Sequence, residues 1–103
     1  MGSERDSLII EKEKYVACVY CNNWWIGKVL DICEEYNDCK ILFMHPPGPC
    51  KSYIWPKPQD ICWIPIEYIL KNVSVPKTPT GRTYQISCEE NQSIEKIFQN
   101  FKK

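Results

Sequence analysis

From residue 15 onward the chain sets short apolar runs against tight polar breaks. YVACVY (15–20) is β-branched and aromatic and reads as a strand. Cys21-Asn22-Asn23 is a turn signal. WWIGKVLDIC (24–33) then reads as a longer strand with Gly27 inside it, where glycine marks a bend or a close backbone approach. EEYND (34–38) is a polar turn, and CKILFM (39–44) is a third strand. ICWI (61–64) is a fourth, stopped by Pro65; IEYIL (66–70) resembles one turn of 3₁₀ helix; NVSV (72–75) closes the series. PKTPTG (76–81) reads as a linker. Ser87 with Glu90 three residues on is a capping box, and Ile94, Ile97, Phe98 and Phe101 recur at helical spacing as one apolar stripe.

This pattern predicts a mainly β domain, a small five-stranded SH3-like barrel with a C-terminal amphipathic helix. The expected organisation is a flexible lead-in over 1–13, the barrel over 14–76, a linker over 77–86 and the helix over 87–103. Strand alternation puts Trp25, Gly27 and Val29 on one face of the second strand, and Trp24, Ile26 and Lys28 on the other. One tryptophan of the pair therefore points inward and its neighbour outward.

The stretch from Phe43 to Pro65 breaks the rhythm. It holds six prolines, four aromatics and the chain's single histidine, His45. Pro46, Pro47 and Pro49 forbid a central strand, while Ser52-Tyr53-Ile54-Trp55 reads as a brief edge strand. Strands at both ends pin this loop, so its prolines stiffen it and hold Tyr53 and Trp55 over the barrel.

At 103 residues the chain is one domain, with 44% apolar residues for a small core. Thirteen basic and thirteen acidic residues cancel, so no whole-chain field draws it to nucleic acid or a membrane surface. No apolar run reaches the length of a membrane span. The seven cysteines, an odd number with no leader before them, are expected as reduced thiols. Cys18 and Cys21 form a C-x-x-C, but an odd separation along a strand sends them to opposite faces, and no second pair completes a zinc site. Neither a metal nor a cofactor is expected. A pairing of His45 with Cys50 or Cys62 lacks an orienting third group, and no nucleophile elbow or phosphate loop is present, so no enzyme activity is expected.

The aromatics carry the functional signal. Ten fall from Tyr15 to Tyr68, more than a small barrel interior holds. Those left near the strand ends are the material of a cation cage or peptide groove. Lysines 28, 40, 51 and 57 interleave thinly with them and offer a second expectation, phosphate contacts to nucleic acid. A third is an interaction or dimerisation surface on the helix stripe of Ile94, Ile97, Phe98 and Phe101, whose plainer role is docking on its own barrel.

The run from Tyr15 to Met44 resembles the opening of Tudor-type domains: an apolar strand ending in an aromatic, a polar turn, an aromatic pair before a small residue, and a third strand ending in an aromatic. CWIPIEYIL resembles the closing Tudor strand and its one-turn helix. The match spans about residues 15–70, and the proline-rich insert departs from the short turn usual there. That insert resembles segments of animal proteins, some transposon-derived. The resemblance implies a reader of methylated lysine or arginine in histone or other protein tails, acting on chromatin in the nucleus. It places Tyr20, Trp25 and Phe43 at cage positions, with Tyr53 or Trp55 completing the cage and Asn22 or Asn23 as the polar cage-side residue. Related SH3-like barrels bind unmodified peptides, RNA or DNA.

Overall fold

The computed structural model describes residues 9–50, 52–74, 76–78 and 81–101. The fold is mainly β, one antiparallel sheet of five strands and a C-terminal helix. The strands are β1 (Tyr15–Tyr20), β2 (Asn23–Cys33), β3 (Asp38–Phe43), β4 (Asp60–Pro65) and β5 (Ile69–Val73), and the helix is α1 (Cys88–Phe101). Their order across the sheet is β4-β3-β2-β1-β5, so β4 and β5 are end strands and the sheet is barrel-like but not closed.

Gly27 is where the sheet folds over. The first half of β2 pairs with β1, from Asn23 opposite Tyr20 to Lys28 opposite Tyr15; its second half pairs with β3, from Gly27 opposite Phe43 to Cys33 opposite Asp38. At this crossover β3 lies so close that a Cβ on Gly27 would stand 2.4 Å from Ile41 Cγ2 and 2.9 Å from the Leu42 carbonyl oxygen. The Ile41 side chain is fully buried and the carbonyl is backbone, so neither gives way cheaply. Gly27→Ala is expected to cost about 1–3 kcal/mol, read as a lower urea midpoint at unchanged slope.

Both faces of β1 are buried, and this explains why Val16, Ala17, Cys18 and Val19 are all core residues in one unbroken run. Inside the fold, Val16, Cys18, Val29, Ile41, Phe43, Ile64 and Ile69 pack together with Trp25 against them. On the outer face, Ala17, Val19, Trp24, Ile26 and Leu70 pack with Met44, Tyr53, Ile94 and Phe98. The expected division of β2 holds: Trp25 and Val29 face one core, Trp24 and Ile26 the other. Trp24 is covered by α1, and its indole N–H donates to Glu95 Oε2 at 2.5 Å.

The helix starts where its cap is. Ser87 Oγ accepts the Glu90 backbone N–H at 3.0 Å, which satisfies one of the otherwise unpaired first-turn donors. Its apolar stripe is spent on this same chain: Ile94 and Phe98 are buried in the outer core, with Ile97 and Phe101 packed at its margin.

Three segments differ from the sequence pattern. The closing strand occupies 69–73 rather than 72–75, because the 3₁₀ turn ends at Tyr68 and Ile69 already pairs with Cys18. Residues 52–55 form single bridges, His45 with Ile54 and Tyr53 with Tyr84, instead of an edge strand. The described end of the lead-in is held against the sheet: Asn72 Nδ2 donates to the Ile9 carbonyl, and the Glu13 N–H donates to the Val29 carbonyl. Within the expected linker, Lys77 bridges to Gln85.

Candidate functional site

Three strands bring Tyr20, Trp25 and Phe43 to one end of the sheet. Tyr20 closes β1, Trp25 is the third residue of β2 and Phe43 ends β3. Cys18 opposes Trp25 across the first hairpin, and Gly27, two residues further along β2, opposes Phe43. Side chains two apart share a face, so these rings converge on the inner side. Phe43 is fully buried and forms the floor. Tyr20 stacks on it with centroids 5.5 Å apart and planes at 27°, while Trp25 meets it edge-on at 5.6 Å and 63°. The Trp25 indole N–H donates to the Tyr20 carbonyl at 2.9 Å, which locks the two walls to one another.

His45 and Asp60 complete the cluster. The His45 ring lies 5.1 Å from Trp25, and its Nε2 shares a 2.7 Å hydrogen bond with Asp60 Oδ2. Asp60 opposes Phe43 as the first residue of β4, so the β3–β4 register sets a half-exposed carboxylate beside the rings. Neither His45 nor Asp60 was marked by the pattern as a cage residue. No local signal pointed to them: Asp60 comes beside the rings through its pairing with Phe43 in the β3–β4 ladder, while His45 bridges to Ile54. Tyr20's hydroxyl sits by the Cys62 and Cys21 thiols, and the hydrogen bond to Cys62 pushes its pKa up.

The remaining expected cage residues lie elsewhere. Tyr53 is fully buried in the outer core, where its hydroxyl donates to the Gly48 carbonyl at 2.9 Å and lies 3.3 Å from Asn91 Oδ1. Trp55 belongs to a second ring group, 6.4 Å from Tyr15 and 5.7 Å from Tyr84. The cause is the loop's pairing, which ties residues 53 and 54 to Tyr84 and His45 and turns both rings toward the helix side. Asn22 and Asn23 are exposed in the β1–β2 turn, Asn22 at a φ of 64°.

Burial raises the Tyr53 phenol to about 12 from its ordinary 10.0. A folded pKa above the unfolded one means that the unfolded chain loses its proton first. This contribution to stability is complete below pH 10.0 and declines as pH rises toward about 12. In urea titrations across that window, Tyr53→Phe is expected to lose stability less steeply than the parent.

The described lysines of the nucleic-acid expectation lie in separate places. Lys28 pairs with Glu13 at 3.0 Å, and Lys40 stands opposite Asp31 in the β2–β3 ladder. Lys57 is exposed in the loop, and Lys51 lies outside the described residues. Cys18 is buried on β1 and Cys21 exposed in the turn at a φ of 52°, so the C-x-x-C does not present two thiols together. Among the described residues, no group of three or more His, Cys, Asp or Glu is placed to hold a metal ion. No described helix is long and apolar enough to cross a membrane.

No family model, curated protein or solved structure matches the chain.

Proposed function

We propose that this domain is a non-catalytic, Tudor-like module that holds a methylated lysine or arginine of a protein segment against Tyr20 and Trp25. The observation that carries this reading is the meeting of three rings from three strands beside the Asp60 carboxylate. A ring face attracts a cation by about 0.5–2 kcal/mol. Two such walls and a nearby carboxylate give a weak but selective site. Methylation favours it, because a methylated ammonium sheds its water more cheaply than a bare one and fills more of the ring surface. Phe43 acts from below: fully buried, it fixes the angle between the two walls.

Calorimetric titration with paired peptides, identical except for trimethylation of one lysine, tests this reading. The methylated peptide is expected to bind at least about tenfold more tightly. Equal affinity for the pair would count against it.

A further inference from the structure

The gap in the open sheet lies next to the ring cluster. β4 is an end strand, and among the described residues no strand pairs with its outer edge. Across the gap stands the end of β1. A groove of about 450 Å³ runs between Tyr20 and the end of β4 at Trp63, Ile64 and Pro65, with Tyr68 and Phe101 also lining it. Trp63 is 45% exposed, Tyr68 40% and Tyr20 37%. Proteins normally blunt an end strand with charge, a bulge or a cover, because its free N–H and C=O groups recruit other chains. Here the Asp60 charge at the first position and Pro65 at the last do so, while between them Ile61 and Trp63 are 41% and 45% exposed.

We propose that this seam receives an extended segment of a partner protein, which adds along β4 and seats an aromatic or branched aliphatic side chain in the groove. Three features select that occupant. The groove accommodates one or two side chains, whereas a helix about 10 Å across needs a wider trough. The named lining side chains carry no charge, so the occupant's contribution there is apolar. The groove is also continuous with the cation site: Tyr20 belongs to both, and β4 begins at Asp60 beside the rings and ends in the groove.

The register rests on the cation reading above. Asp60 and Trp63, the exposed β4 side chain that lines the groove, are three residues apart, about 10 Å along a strand. Side chains on one face of a strand recur every two residues, so these two lie on opposite faces of β4. The apolar residue of the partner therefore lies three positions from the methylated one, and not two or four.

The test uses the ¹⁵N-labelled full chain and ten-residue peptides with one trimethyl-lysine and a single phenylalanine two, three or four positions away, each against its alanine counterpart. Phenylalanine at three is expected to tighten binding about tenfold and at two or four to leave it unchanged. The amides of Ile61, Cys62, Trp63 and Ile64 are expected to shift on binding. Trp63→Ala should erase the phenylalanine gain. Because this side chain is largely in solvent, a dispersed spectrum will show that the variant stays folded. If the methylated alanine peptide shifts Trp25 but phenylalanine adds nothing at any position, the seam proposal fails and the cation site stands. If phenylalanine tightens binding equally with unmethylated lysine, the seam stands and the cation reading fails. If the β4 amides shift with protein concentration alone, a second copy fills the seam and the proposal is overturned.

Discussion

Trp24→Ala is expected to destabilise the domain by about 3–5 kcal/mol. Trp24 is the largest fully buried side chain, and it sits where β1, β2, the proline-rich loop and α1 meet. Alanine leaves a cavity between sheet and helix that the paired strands cannot collapse to fill. It also takes the indole N–H from Glu95, whose carboxylate is half-buried. A small domain holds only about 5–15 kcal/mol in all, so the melting temperature should fall by more than about 10 °C. Trp24→Phe separates the two losses: it restores most of the packing and still removes the indole N–H from Glu95, which keeps Gln99 as a partner. Its cost is expected to be about 1–3 kcal/mol. A Trp24→Ala variant as stable as the parent would mean that the helix does not cover the sheet in this way.

The neighbouring tryptophan should behave in the opposite manner. Trp25→Ala is expected to lower affinity for a trimethyl-lysine peptide by at least about tenfold, since it removes one ring wall and frees the other. Tyr20 is held in place by its stack on Phe43 and by the hydrogen bond from the Trp25 indole to its carbonyl. Loss of that bond loosens the surviving wall as well. The stability cost should be smaller than for Trp24, about 1–2 kcal/mol, because Trp25 is only partly buried. On the proposed function two adjacent tryptophans divide the work: Trp24 holds the helix to the sheet, and Trp25 would present a ring to the ligand. Thermal melts and calorimetry on the two variants read these effects separately.

The alternation along β2 put the two tryptophans on opposite faces without saying which one the helix covers, and the strands themselves followed from the apolar runs between turn residues. The helix was legible from Ser87, Glu90 and the stripe ending at Phe101. The second core was not. YVACVY shows no alternation, and such a run marks a strand buried on both faces without saying what covers the outer one. The cover is α1 with Tyr53 and Met44, which absorbs rings that a barrel interior alone has no room for.

The same gap in local information misplaced Tyr53 and Trp55. Their position depends on bridges to His45 and Tyr84, partners separated by 9 residues (45 to 54) and 31 residues (53 to 84) in the chain. Asp60 was hidden for a similar reason: its place beside the rings comes from the β3–β4 register, and nothing in its neighbours Gln59 and Ile61 announces it. Tyr20, Trp25 and Phe43 were singled out by the Tudor resemblance alone; they meet because each lies near a strand end with its side chain on the inner face.

The most direct measurement is an NMR titration that follows the Trp25 indole N–H, whose hydrogen bond to the Tyr20 carbonyl lies inside the candidate site. The expected result is a saturable shift of that signal, together with Tyr20 and Asp60 backbone amides, on adding a trimethyl-lysine peptide, and a much weaker response to the unmethylated peptide. A Trp25 signal that stays still with both peptides, in a protein whose spectrum shows it folded, would contradict the account.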